Sequence, residues 1–430
     1  MVASICLNMI VRDEARLIAS TLQNVVDNVP ISHWVICDTG STDGTPEIVE
    51  RWFEARGIPG TLVRHEWKDF GHNRTLALEA AYNKSDYVLV FDADDKLVGK
   101  PEVPDGPDLD GYHMMFRMGN SSWRRLALMN NRKRWRYVGV IHETPICDEA
   151  CGQTGDLAGD YYCAAGTEGA RSRAPNKYAS DAETLARAYE DSGLDTWLRD
   201  RYAFYCAQSY RDAGMRKPAL RWYQKRVALG GWVQELYVSQ LNSGWILMSE
   251  GNADEAIKCW LAACDYGLFR YETLSEAAEH YQASGMQFLA KALYDQVDVS
   301  RVGVDGEQLF LHRPLHEYRL LCDMLLCYAR CAAYDRACVV LSELLRRWDR
   351  IGVEWQGPVL HNAWYVSCNY RVPAECLRLA IACADKLRQS EHPPRSLGDM
   401  RTAFAAALSR EDMIASRAMD GIVANVYALA

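Results

Sequence analysis

The sequence predicts an α/β domain followed by an all-helical repeat domain. Residues 1–145 alternate short apolar runs with amphipathic stretches of helical spacing. From about residue 195 the strand signal is gone, and small and aromatic residues recur at fixed offsets. A chain of 430 residues is also too long for one ordinary core.

The elements follow in order. Residues 4–11 read as a strand, and 13–28 as a helix with Leu17, Leu22, Val25 and Val26 on one face. Residues 33–38 and 45–56 repeat that pair, as do 61–67 and 71–82, and 87–91 form a fourth strand. Strands apolar along nearly their whole length are buried on both faces, as in a parallel sheet covered by helices. Alternating β and α units give a doubly wound, Rossmann-like domain with right-handed crossovers. Ligands then bind at the carboxyl ends of the strands, a rule that selects Arg12, Asp38 and the cluster starting at Asp92. Residues 112–118, 126–130 and 135–141 read as a mixed or antiparallel extension, and 150–176, rich in Gly, Ala and turn formers, as a connector. The expected domains are 1–150, a connector with a helix over 151–194, and a helical domain over 195–430.

The helical domain has an internal repeat. Ala207, Tyr210, Ala219 and Tyr223 stand at offsets 0, 3, 12 and 16. Gly244, Leu247, Ala256 and Trp260 repeat them, as do Ala278, Tyr281, Ala290 and Tyr294, with Leu325, Tyr328, Ala337 and Leu341 looser. Small residues let two antiparallel helices approach closely, and Gly214, Gly251 and Gly285 mark the turns between them. This pattern resembles the tetratricopeptide repeat. Residues 351–430 read as helical but out of register.

The net charge of -9 argues against general affinity for DNA or anionic membrane. There is no apolar run of about 18 residues, so no membrane span is expected. Residues 5–11 are too short and too quickly followed by charge to be a signal peptide. The 15 cysteines are spread over the chain, many at apolar helical positions such as Cys322, Cys327 and Cys331. They read as reduced residues of a cytoplasmic protein. Cys147, Cys151 and Cys163 lack a fourth partner for zinc.

The chemistry concentrates at strand ends. Asp92-Ala93-Asp94-Asp95 follows an apolar strand, where clustered carboxylates are tolerated if a cation neutralises them. Hard divalent cations take such oxygens and keep positions open for phosphate. Asp38 ends another apolar strand and opens the turn Thr39-Gly40-Ser41-Thr42-Asp43-Gly44-Thr45, which caps a helix whose N-terminus favours anions. The first strand ends in Arg12-Asp13-Glu14. The residues Arg117, Arg124, Arg125, Arg132, Lys133, Arg134 and Arg136 form a basic patch, read either as a solvated edge face or as a surface for phosphate or an acidic acceptor.

These blocks, Asn8 to Glu14, Asp38 to Thr45 and Asp92 to Asp95, resemble in order and spacing the signatures of inverting family-two glycosyltransferases of the GT-A fold, over residues 1–145. The tail is similar to that of a bacterial subgroup with a tetratricopeptide-like domain, to which the S-glycosyltransferases of bacteriocins are related; Phe204–Gly214, Gly230-Gly231-Trp232, Leu309-Phe310 and His316-Glu317-Tyr318 carry that likeness. The resemblance implies an α/β GT-A catalytic domain and a metal-dependent transferase using Mn2+ or Mg2+. It implies that Arg12, Glu14, Asp38, Thr39, Asn73, Arg74, Asp92 and Asp94 hold the nucleotide-sugar. Asp92, Asp94 and His142, in the Gly-x-x-His-Glu segment, would hold the metal, and Glu143 or Asp95 would be the catalytic base.

The function expected is transfer of a sugar, from a UDP-sugar before other donors, to a hydroxyl or thiol of a peptide, saccharide or other small acceptor. The helical domain would bind that acceptor or mediate homodimerisation. The alternatives are an inactive repeat scaffold and a glycosyltransferase acting on modified DNA bases, with nucleic acid the less favoured partner.

Overall fold

The computed structural model describes residues 2–150, 152–303, 308–390, 394 and 396–411. The chain forms two compact units, residues 1–256 with 306–311, and residues 257–305 with 312–430.

The first unit begins with the alternation the sequence prescribes. β1 (Ile5–Val11), α1 (Ile18–Asn28), β2 (Ile31–Asp38), α2 (Thr45–Glu54), β3 (Gly60–Arg64), α3 (Phe70–Ala81) and β4 (Tyr87–Val90) follow one another. β5 (Lys96–Pro101), β6 (Gly111–Met118), β7 (Ser121–Asn130), β8 (Trp135–Val138), β9 (Thr144–Cys147), β10 (Thr154–Asp156) and β11 (Gly159–Ala164) extend it. The main sheet has the order β3-β2-β1-β4-β7-β6-β11-β5. β3, β2, β1 and β4 are parallel, whereas β7 runs antiparallel to β4 and to β6. β1, β2 and β4 are buried, whereas the edge strand β3 is exposed to half-buried: Ile5, Leu7, Met9, Ile36 and Leu89 pack in one cluster, and Cys6, Val35, Val88 and Val90 in another on the opposite face. Buried Asn8 ties the layers together by donating to the carbonyls of Val35 (3.2 Å) and Ala77 (2.9 Å).

Two readings of the extension are corrected. Residues 150–176 are more than a connector, because β11 lies between β6 and β5 in the main sheet. Residues 135–138 do not extend that sheet; β8 pairs with β9 as a separate hairpin. The first unit then continues with α4 (Lys177–Tyr189), α5 (Thr196–Asp212), α6 (Arg216–Leu229), α7 (Val233–Ser249) and the start of α8 (Ala253–Cys264).

The second unit takes the rest of α8 and α9 (Glu272–Ala283), α10 (Gln287–Tyr294), α11 (Leu320–Arg330), α12 (Tyr334–Arg346), α13 (Val353–Asn369) and α14 (Ala374–Arg388). The repeat positions are core positions: Ala207, Ala219, Tyr223, Ala256, Ala278, Ala290, Tyr294, Leu325 and Ala337 are all fully buried. No helix among the described residues is long and apolar enough to cross a membrane. No disulfide joins the described cysteines.

The repeats also share a helix stop. The N–H of Met215 donates to Tyr210, that of Asn252 to Leu247, that of Met286 to Tyr281 and that of Ala333 to Tyr328, at 2.8 to 2.9 Å. Each is the long back-bond of a helix C-terminus that needs a left-handed residue just before it. Gly214, Gly251 and Gly285 fill that place with φ of 74°, 85° and 77°, but the fourth repeat has Ala332 at φ 52°. A Cβ in that region costs roughly 1–2 kcal/mol. Ala332→Gly is therefore expected to stabilise the protein by about 1 kcal/mol, read as a higher denaturant midpoint with an unchanged slope; a lower midpoint contradicts the assignment.

Candidate active site

Because β1 runs parallel between β2 and β4, the carboxyl ends of all three strands meet at one edge. The β1 end is laced to the β2 loop. The N–H groups of Asp13, Glu14 and Ala15 donate to the side chains of Ser41 (2.9 Å), Thr45 (2.8 Å) and Asp43 (2.9 Å). In return Asp13 accepts the Thr42 N–H at 2.7 Å. Gly40 and Gly44, at φ 102° and 84°, let the loop turn back. Asp38 is buried and accepts the N–H groups of Gly40 (3.3 Å) and Ser41 (3.1 Å). Thr39 is buried and donates its hydroxyl to Val11 (3.1 Å), while Arg12 stays exposed at the rim.

The end of β4 is dominated by a buried ion network. Arg74, on the first turns of α3, donates from Nε to Glu143 at 2.6 Å and from Nη2 to Asp92 at 2.5 Å. Arg125 of β7 donates to the other oxygen of Asp92 at 2.9 Å and to Asp95 at 3.4 Å, with its guanidinium 4.1 Å above the Phe116 ring. Burial opposes the charge on Asp92, but the two guanidiniums outweigh it and hold this carboxyl well below the usual range. Asp95 goes the other way: burial, then the Asp92 charge, push it up to about 7. Glu143 reaches the network because Gly139, at φ 118°, turns the chain after β8, and the N–H of Gly71 at the head of α3 bonds the Gly139 carbonyl (3.1 Å).

A second group of carboxylates lies under residues 165–170. Asp95 accepts the N–H of Gly166 (3.0 Å), Asp94 that of Gly169 (3.1 Å) and Glu14 that of Ala170 (2.9 Å). Glu14 Oε2 is buried without a hydrogen-bond partner, and burial raises its carboxyl above the usual range.

Several sequence expectations change here. Asn73 is fully buried, with its amide spent on the Lys68 N–H (2.9 Å) and the Glu66 carbonyl (3.0 Å), so it shapes a loop and offers nothing to a ligand. His142 stacks on Tyr205 of α5 at 3.9 Å, in the left-handed region at φ 54°. Desolvation, then Arg201, Arg171 and Lys177, lower its imidazole below the usual range, even though the residue is exposed at the surface. The expected ligand set Asp92, Asp94 and His142 is not assembled: among the described residues no three His, Cys, Asp or Glu side chains are gathered as a metal site. The basic patch is largely neutralised: Arg124, Arg132, Lys133 and Arg136 pair with Asp156, Asp86, Asp110 and Asp148. Its fifth paired member, Arg125, belongs to the site instead. That role and the strap over residues 165–170 were not foreseen; the glycines at 166 and 169 were the only local signal.

A hard cation that takes one or two carboxylates and completes its shell with phosphate and water fits what remains. Both Asp92 oxygens are taken by guanidiniums. Asp94 stands beside Glu14, whose Oε2 lacks a partner; a Cβ on Gly169 would touch both, at 2.9 Å from Asp94 and 3.2 Å from Glu14.

Removing Arg74 would leave Asp92 and Glu143 facing each other without their shared cation. Arg74→Ala is expected to cost about 3 kcal/mol of stability at neutral pH, measured by urea unfolding; a cost below about 1 kcal/mol would place the network among weak surface pairs.

Comparison with known proteins bears on this edge of the sheet. Residues 6–98 match the model of Glycosyl transferase family 2. A curated TPR repeat-containing protein from Synechococcus elongatus is 39% identical over 151 residues, 33% of this chain and 35% of that protein. The chain thus spans about a third of the length of this relative. Among solved structures, the mannosyltransferase PcManGT from Pyrobaculum calidifontis, in complex with GDP-Man and Mn2+, is 14% identical, with a TM-score of 0.31 over 61% of this chain and 88% of that one. TarS 1–349 from S. aureus, in complex with UDP-GlcNAc, is 10% identical, with a TM-score of 0.31 over 59% and 89%. YrrB, a TPR protein with an unusual peptide-binding site, is 14% identical, with a TM-score of 0.33 over 54% and 99%. Residues 6–98 of the α/β part are thus similar to glycosyl transferase family 2, and the helix pairs behind that part carry the recurring small and aromatic core positions.

Proposed function

We propose that the protein transfers a sugar, with inversion, from a nucleotide-diphosphate sugar to an acceptor hydroxyl or thiol. The observation that supports this best is the meeting of Asp38, Glu14, Asp92, Asp94, the buried Arg74 and the half-buried Arg125 at one edge of the sheet. The loop after Asp38 and the exposed Arg12 would hold the nucleotide, with a UDP-sugar the favoured donor. Mn2+ or Mg2+, held by Asp94 with Glu14 beside it, would supply positive charge to the donor diphosphate. Arg74 and Arg125 add fixed positive charge that needs no reorganisation as the leaving group departs.

The acceptor must lose a proton as it attacks, so a carboxylate has to stand near it. Asp95 suits this task better than Glu143. Its carboxyl, pushed up to about 7, is matched to neutral pH, whereas Glu143 is held by the Arg74 guanidinium at 2.6 Å. The tetratricopeptide-like helices would present a peptide or other acceptor, or join two copies of the chain.

The test is a thermal-shift and calorimetric screen of UDP-, GDP- and dTDP-sugars with Mn2+. UDP-sugar binding is expected to depend on the metal. Asp94→Ala is expected to weaken it at least about ten-fold, which is 1.4 kcal/mol, while leaving the melting temperature of the free protein close to wild type. Equal affinity in the variant would remove Asp94 from the site, and silence of the wild type across all donors would remove the transferase reading.

A further inference from the structure

Residues 165–170 carry no role so far, yet they touch three of the signature carboxylates at once. Their N–H groups at Gly166, Gly169 and Ala170 point to Asp95, Asp94 and Glu14. One of these positions accepts only glycine while the segment is seated, and a second is tight. A Cβ on Gly166 would collide with the carbonyl oxygen of Asp94, which belongs to the backbone and cannot swing aside. A Cβ on Gly169 would come 2.9 Å from Asp94 Oδ2. A fourth tie lies outside the cluster. Arg16 donates to the Glu168 carbonyl at 3.1 Å and pairs with its carboxylate at 3.6 Å, both side chains largely exposed.

The seated segment leaves the cluster incompletely satisfied. Glu14 is nine-tenths buried, and its Oε2 has no partner. Three carboxylates are thus met by one neutral donor each, and Glu14 Oε2 by none. A divalent cation is a far stronger partner for such oxygens than an amide N–H. The same oxygens cannot be offered in full to both.

We propose that residues 165–170 form a strap that competes with the donor's cation for Glu14 and Asp94, and that it lifts from these carboxylates, and from Asp95 beside them, when the site loads. The inference rests on the nucleotide-sugar reading above and adds its regulation. In the free protein the strap gives each of these acids one amide donor. On loading, Asp94 and Glu14 exchange the Gly169 and Ala170 N–H groups for the cation, Asp95 gives up that of Gly166, and the freed N–H groups return to solvent. At Gly166 the seated strap passes too close to the Asp94 backbone for any side chain.

The test uses the full-length protein, with Mn2+ alone as the first probe and Mn2+ plus UDP as the second. Amide exchange at Gly166, Gly169 and Ala170 is expected to be slow in the free protein and to accelerate with Mn2+. Gly166→Ala cannot seat the strap and is expected to bind Mn2+ about five-fold more tightly, the scale of one neutral hydrogen bond. Arg16→Ala loosens the strap from the exposed side, leaves the carboxylates intact and is expected to tighten Mn2+ about two-fold; it decides the matter if Gly166→Ala does not fold. Exchange that ignores Mn2+, or variants that bind Mn2+ no better than wild type, overturn the strap. Tighter Mn2+ with no UDP binding in any form upholds the strap and overturns the transferase reading. UDP binding with unaltered Mn2+ affinity in both variants does the reverse.

Discussion

The ion network around Arg74 is the constraint on which the catalytic end of the sheet depends. A buried guanidinium between two carboxylates cannot be moved without stranding charge in a poor solvent. Arg74 comes from α3, Asp92 from the end of β4 and Glu143 from the turn between β8 and β9. One side chain therefore sets where a helix, a sheet and a hairpin meet. Arg125 adds the antiparallel strand β7 to the same node. The backbone supports it: Gly71 brings the head of α3 against Gly139, where a Cβ would strike the Gly139 carbonyl. The geometry of Asp92, Asp95 and Glu143 follows from charge balance as much as from chain topology.

What could be read from the sequence, and what could not, divides along that line. Arg12, Asp38 and Asp92 to Asp95 were legible because each interrupts or ends an apolar run, and a charge placed there has few explanations other than a strand end. The strands themselves were legible because burial on both faces leaves an unbroken apolar signature. Arg125 was not, because a strand arginine among six other basic residues looks like a solvated face. Only the structure shows that four of its neighbours meet surface acids while Arg125 turns to Asp92. β11 was hidden for a related reason: Gly159-Asp160-Tyr161-Tyr162-Cys163-Ala164 is short and flanked by glycines, and its place between β6 and β5 is a nonlocal fact. Asn73 was misassigned because a motif position does not tell whether an amide faces a ligand or its own loop.

The helical part was more legible because its rules are local. A small residue where two helices touch, an aromatic beside it and a left-handed stop between them are all written within a span of 17 residues, from offset 0 to offset 16. Ala332 shows the rule by its exception. The fourth helix pair keeps the same long back-bond, from Ala333 to Tyr328, without the glycine. Packing of Leu325, Tyr328, Ala337 and Leu341 holds a turn there that its own residue disfavours.

Charge at the active edge leads one step further. Asp92, Asp95 and Glu143 stand against Arg74 and Arg125. Glu14 and Asp94 have no guanidinium bonded to them; each accepts a backbone N–H, and Arg173 and Lys177 act on them from farther off. On the proposed reading, these two are the carboxylates that would meet a cation arriving with the diphosphate. Asp92 has been read as half of a ligand pair, yet with both oxygens on guanidiniums it acts as the counter-ion that keeps two arginines buried and aimed. The two aspartates of one motif thus stand differently, Asp92 fixing the protein's own cations and Asp94 meeting the neutral N–H of Gly169.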